Sequence, residues 1–275
     1  MRLFLQLVVV AAVALAGSLA VSAVQWNTLL TLVLGLATAV SAVAAYRWIV
    51  RKTEHRVPVE IAKNRAALGR GLLIGAGLFV CVIANIAFVG GYEVLGWGSV
   101  AGAIALFGFS AAAAVTEELI FRGILFRFVE RWIGTWLALT LTGLLFGLSH
   151  LFNAHATFWG AVAIAVEAGG MLAAAYAATR TLWLPIGLHF AWNFAEGGIF
   201  GTGVSGTDAP EGLLHAVMSG PAALTGGEFG PEASVYSVVA GGVVTAVFMV
   251  LARRRGNIVP LRRRNSDADA ATVVP

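Results

Sequence analysis

The sequence predicts an all-α fold, a polytopic membrane helix bundle of about eight transmembrane helices. Three observations carry this. Of 275 residues, 59% are hydrophobic and only 12% are charged, roughly half the charge of a soluble domain. Apolar runs long enough to cross a bilayer recur along the whole chain. Basic residues cluster between alternate runs, as the positive-inside rule expects of a chain that crosses repeatedly. Only helices and closed barrels can span hydrocarbon, and runs of this length are helices. Cys81 is the lone cysteine, so neither an intrachain disulfide framework nor a Cys-rich metal site is possible.

Segment one covers about 3–24. Its end, Ala20-Val21-Ser22-Ala23, resembles the cleavage region of a signal peptide. Its span length and the apolar run that follows at once favour a retained helix. Segment two is about 27–50. A basic stretch follows, from Arg47 to Arg70, and its middle, Val57 to Leu68, has Pro58 placed for a short interfacial helix. Segment three is about 71–91. Segment four runs from near Trp97 to about Arg131, too long for one simple span, so its C-terminal part emerges into water or the interface. Segment five is about 135–153, segment six about 156–178 and segment seven about 182–199. A Gly-rich link, 200–233, follows, within which Gly212-Leu-Leu-His-Ala-Val-Met218 has the length of a short interfacial helix. Segment eight is about 234–252, and an Arg-rich stretch leads to the tail.

Arg2, the 47–70 stretch, 122–131, Arg180 and the C-terminal arginines fall on one side of the membrane. The 24–27, 92–96, 153–156 and 200–233 links contain no Lys or Arg and fall on the other. Both termini are therefore predicted to be cytoplasmic. Residues 1–264 form a single bundle in this reading, with 265–275 a disordered cytoplasmic tail. The basic residues flank the membrane, so the bilayer is the expected partner and nucleic acid is not.

Chemistry is expected where charge lies in an apolar setting, because a charge in hydrocarbon costs at least about 2.5–3.5 kcal/mol at a helix centre. Glu117 and Glu118 are adjacent acids after a long apolar run, with Arg122 one turn later. Glu118 and Arg122 share a helix face in the favourable acid-first order. Glu117 points elsewhere, free to act as a general base. His189 and Asn193 share a face of segment seven, and His150 ends segment five. Glu167 reads as an interhelical hydrogen-bond partner and His155 as an ordinary loop histidine. A Glu with two His can hold a divalent metal that activates water. Alternatively the Glu activates water directly, with His and Asn stabilising the oxyanion. No His-Glu-x-x-His, Gly-x-Ser-x-Gly or serine-dyad context is present. Two other classes stay open: a non-catalytic scaffold or bacteriocin-immunity protein using the same polar cavity, and a proton-coupled transporter.

Three motifs in order carry a resemblance. Glu-Glu-x-x-x-Arg at 117–122, Phe-x-x-x-His at 146–150 and His-x-x-x-Asn at 189–193 resemble the type II CAAX prenyl endopeptidase and bacteriocin-processing family of intramembrane metalloproteases. The resemblance covers about 97–200, the protease-like core. It implies an endopeptidase that cleaves a membrane-associated or C-terminal segment of a peptide or protein substrate, in some members lipidated. Glu117 would activate the attacking water. His150 and His189 would be the two site histidines, with Asn193 polarising the scissile carbonyl. Glu118 and Arg122 would support them. A divalent metal, zinc, would sit on His150 and His189 together with Glu117. The resemblance also implies a bacterial plasma membrane setting and a cavity that opens to the cytosol.

Overall fold

The computed structural model describes residues 1–24 and 26–261, so the tail expected to be disordered, 265–275, lies outside the described residues. The chain forms α1 (Arg2–Ala23), α2 (Thr28–Glu54), α3 (Arg65–Phe88), α4 (100–133), α5 (135–152), α6 (Phe158–Thr179), α7 (183–199) and α8 (Val235–Arg254). Six helical runs are long and apolar enough to cross a membrane. One of them, Val100–Phe152, is broken at Gly134 into α4 and α5, and the shorter α7 completes the set. The chain is a multi-pass integral membrane protein. Helix starts follow local chemistry: the side chains of Asn27, Asn64, Ser99, Thr157 and Ser234 each accept a backbone N–H of the first turn, satisfying a donor that the helix itself cannot.

Helix α6 is the axis of the bundle, with 89% of its span buried, whereas α1 and α2 are each 22% buried and present their outer faces to lipid. Water gives no hydrophobic drive between helices in a bilayer, so close backbone approach holds the helices together. Two Gly-x-x-x-Gly pairs supply it. A Cβ on Gly71 or Gly75 of α3 would lie 2.2 Å from the Leu184 or Leu188 carbonyl oxygen of α7. On α5, a Cβ on Gly147 would lie 2.2 Å from the Ala161 oxygen of α6, and Gly143 faces Gly169 and Gly170 in the same way.

Gly134 makes the α4–α5 turn. Its φ of 77° and ψ of 169° belong to a region essentially restricted to glycine. A Cβ there would also meet Val259 O and Leu261 N at 2.9 Å. Gly134→Ala is expected to destabilise the protein by about 1–3 kcal/mol from backbone strain alone. Thermal unfolding in detergent reads this, and an unchanged midpoint would show that the turn can relax.

Two sequence expectations fail. Residues 212–218 do not form a helix: Leu214–Met218 is a strand, β2, paired antiparallel with β1, Tyr92–Trp97, with an irregularity between Val94 and Gly96. The inner and outer side chains of Leu214–Met218 alternate, the period of a strand, and its partner is more than a hundred residues away. The interfacial helix expected within 57–68 is a single 3-10 turn at Val59–Ile61. Asn64 then caps α3 from Arg65, so the third span starts earlier than expected.

The basic face is closed by a buried polar cluster. The Tyr46 hydroxyl lies 2.5 Å from Glu60 Oε1 and 2.9 Å from Gly123 O, sharing its one proton between two acceptors. Arg127 donates to Gly123 O, Glu54 and Gln6. Burial pushes the Glu60 carboxyl up, but bonds from Arg56 and Tyr46 outweigh it and hold the group below the usual carboxylate range.

Candidate active site

Helix α4 brings the first motif to the bundle centre. Its α-helical part ends at Glu118, and Leu119–Phe126 continues as π-helix. Such a wide turn often marks a functional site. The two acids diverge as their positions on the helix require. Glu118 is fully buried, while the Glu117 side chain keeps 31% of its surface exposed in a cavity.

Glu118 Oε1 accepts from Arg122 Nη1 at 2.6 Å and from His189 Nδ1 at 3.2 Å. A carboxylate only accepts, so Nδ1 of His189 carries the proton and Nε2 is its free nitrogen. Nε2 lies 3.9 Å from Glu117 Oε2. Arg122, only 1% exposed, also donates from Nη2 to the carbonyl oxygens of Ala168 and Gly169 at 3.0 and 3.1 Å. Those carbonyls belong to a second π-helical stretch, Ala165–Gly170, and a widened turn leaves carbonyls without their ordinary helical partners. The guanidinium also stacks 4.5 Å from the Phe146 ring centre.

Phe146 is a shared wall. The His150 ring lies 4.9 Å from it and the His189 ring 6.1 Å, centre to centre. His150 Nδ1 bonds Phe146 O at 2.8 Å, leaving Nε2 free. His150 reaches the level of Glu117 because both residues lie nearly equally far along the chain from the α4–α5 turn at Gly134. Glu117, His150, His189 and Asn193 all line one cavity of about 1150 Å³. The six expected site residues are therefore gathered: four face the cavity, and Glu118 with Arg122 stands behind them.

The metal expectation is tested by the donors. Among the described residues, no three His, Cys, Asp or Glu side chains converge as a ligand set for a metal ion. His189 Nδ1 and His150 Nδ1 are already bonded. The Nε2 atoms of both histidines stay free beside Glu117, so these three side chains would have to close together to hold a divalent ion.

Sequence reasoning missed a set of acids behind the site. Glu196 and Glu232 are buried alongside Glu167. A space of about 10 Å³, at the lower limit for one water, is lined by His150, Glu167, His189, Asn193, Ser205 and Glu232. Ser205 donates to Glu232 Oε2 at 2.5 Å. Glu167 does not act as the expected interhelical hydrogen-bond partner through Oε2, which has no partner among the described residues, nor do the two Glu196 oxygens. His155 is a loop histidine as expected, bonded to Asp208 at 2.9 Å. Glu196 had a legible signal: it follows His189 and Asn193 at helical spacing on one face of an apolar run. Glu232 had none, lying in a Gly-rich link that reads as solvent-exposed.

Residues 97–195 match the family model of the type II CAAX prenyl endopeptidase, Rce1-like. This segment is similar to the Rce1-like family. No curated protein and no solved structure matches the chain. The matched segment opens at Trp97, the last residue of β1, and ends just past Asn193, so it holds all three motifs. The Rce1-like match points to a CAAX-type membrane protease, which implies a peptide substrate and a bilayer setting.

Proposed function

We propose that this Rce1-like protein is an intramembrane endopeptidase that hydrolyses a peptide bond with water activated by Glu117. The observation that carries this reading is the gap between Glu117 Oε2 and His189 Nε2. The carboxylate oxygen has no hydrogen-bond partner, and the imidazole nitrogen lies 3.9 Å away. A bridging water would meet Oε2, buried as it stands, once the carboxylate turns towards the cavity that the rest of the Glu117 side chain faces.

Glu117 accepts a proton from this water as the oxygen attacks the scissile carbonyl carbon. The carbonyl becomes a tetrahedral oxyanion, towards which the Asn193 carboxamide donates. His150, with Nδ1 held by Phe146 O, offers Nε2 to the substrate. Glu117 then passes the proton to the departing nitrogen, and the C–N bond breaks to give an acid and an amine. Glu118 positions His189 by fixing its tautomer, and Arg122 holds Glu118. Both termini lie in the cytoplasm in this reading, by the placement of the basic residues.

The test is cleavage of fluorogenic peptides, with and without a C-terminal farnesylcysteine, by purified protein in detergent. Asn193→Ala is expected to lower kcat by about 10²–10³-fold, the usual cost of losing one oxyanion donor. Unchanged kcat would remove Asn193 from the mechanism. Cleavage is expected to survive exhaustive chelation. Loss on chelation that added zinc restores would replace the glutamate-only scheme with a metal-bound water.

A further inference from the structure

We propose that the groove between α3 and α8, at the basic end of the bundle, binds one anionic phospholipid, with its phosphate on Arg70 and Arg255 and its acyl carbons in the apolar part of the groove. The inference rests neither on the protease reading nor on which side of the membrane the basic end faces.

The groove follows from how the two helices are anchored. Helix α3 is held against α7, where Gly71 and Gly75 meet the Leu184 and Leu188 carbonyls. Helix α8 is held against α6 instead: a Cβ on Gly241 would lie 2.5 Å from the Glu167 Cα. Away from the basic end, Tyr236 and Ala240 of α8 pack against the apolar cluster that includes Phe79 and Ile83 of α3. Towards the basic end the two helices leave a groove of about 440 Å³ between them, within the roughly 300–1,000 Å³ of small-molecule sites. The α6–α7 turn and Leu184 of α7 close its back.

The lining is graded as a phospholipid is graded. Ile74 on α3 and Phe248 on α8 line the part farther from the helix ends, and Asn64 and Arg255 line the part at those ends. Arg70 lies one turn from Ile74, and its long side chain reaches back towards the headgroup level, as arginines near helix ends do. In a bilayer the apolar walls meet acyl chains in any case. The charge selects which lipid stays.

That charge is uncompensated. No acid lines the groove. The acids of the basic end are already taken, Glu54 and Glu60 by Arg56 and Arg127, and Glu130 by Arg180. Arg70 and Arg255 are thus left without a carboxylate among the described residues. Arg255 spends one N–H on Ala178 O at 2.9 Å, which fixes its guanidinium beside the groove and leaves its other donors for an anion. Both arginines are exposed, so a headgroup reaches them without any rearrangement. Basic pockets between membrane helices take anionic headgroups in this way.

The test is native mass spectrometry of the purified full chain in detergent, titrated with phosphatidylglycerol, phosphatidylcholine or glycerol 3-phosphate. One phosphatidylglycerol is expected to bind more tightly than phosphatidylcholine, with no binding of glycerol 3-phosphate. Affinity for phosphatidylglycerol should fall about fivefold for each arginine removed, and so about 30-fold in Arg70→Gln/Arg255→Gln. Arg47→Gln/Arg51→Gln, which removes two exposed charges of α2 outside the groove, should leave it unchanged. Arg70→Gln alone keeps the bond from Arg255 to Ala178 intact, so it reads the site even where the double variant unfolds. Equal affinity for the two phospholipids would overturn the proposal, as would an unaltered affinity in Arg70→Gln. An equal loss in the α2 variant would replace the site with diffuse surface charge, and tight binding of glycerol 3-phosphate would replace the lipid with a free phosphate.

Discussion

Glu117→Gln is expected to lower kcat by about 10²–10⁴-fold, the range that a positioned general base supplies. The change is nearly isosteric, so the cavity keeps its shape and a water can still sit between residue 117 and His189 Nε2. A carboxamide cannot take the proton from that water. Stability should not change, because Glu117 Oε2 has no hydrogen-bond partner to lose and the side chain is part-exposed in the cavity. The measurement is single-turnover cleavage beside a thermal unfolding curve for each protein. Lost cleavage at an unchanged unfolding midpoint assigns the proton transfer to Glu117. Retained cleavage would remove Glu117 as base, and the scaffold reading would then gain.

The helical scaffold was legible in the sequence because each span is an apolar run bounded by a capping residue or a charge. Asn64 and Ser99 mark the starts of α3 and α4, and the kink at Gly134 falls where segment four was expected to end. The pairing of Glu118 with Arg122 and the separate direction of Glu117 follow from helical spacing alone. What could not be read depends on residues far apart in sequence. The strand pairing of Tyr92–Trp97 with Leu214–Met218 has no local signal on either side, and β-structure is set by the partner as much as by the strand itself. The π-helical turns at 119–126, 165–170 and 194–199 arise where helices meet. The bond from His189 to Glu118 likewise exists only because α4 and α7 cross at that height.

Arg122→Ala is expected to destabilise the protein by about 3–5 kcal/mol, the usual cost of removing one member of a buried ion pair. The argument is one of stranded partners. Glu118 has no solvent exposure, so its charge would lose its only guanidinium partner, 2.6 Å away. The Ala168 and Gly169 carbonyls would lose the donor that joins α4 to α6. Arg122→Lys should recover only part of this, because one ammonium cannot reproduce the planar fork that meets a carboxylate and two carbonyls at once. The double change Glu118→Gln with Arg122→Met removes both charges together and should restore most of the stability, since a buried pair is often replaceable by apolar packing. Activity should not return with it. Without the Glu118 carboxylate, an uncharged amide that can donate as well as accept no longer fixes the His189 proton on Nδ1, and the ring loses part of the orientation that points Nε2 at Glu117. Unfolding midpoints and kcat for the four proteins separate the two roles. A stable and active double variant would make the Glu118–Arg122 pair purely structural, and an Arg122→Ala protein with a normal midpoint would remove the pair from the account of stability.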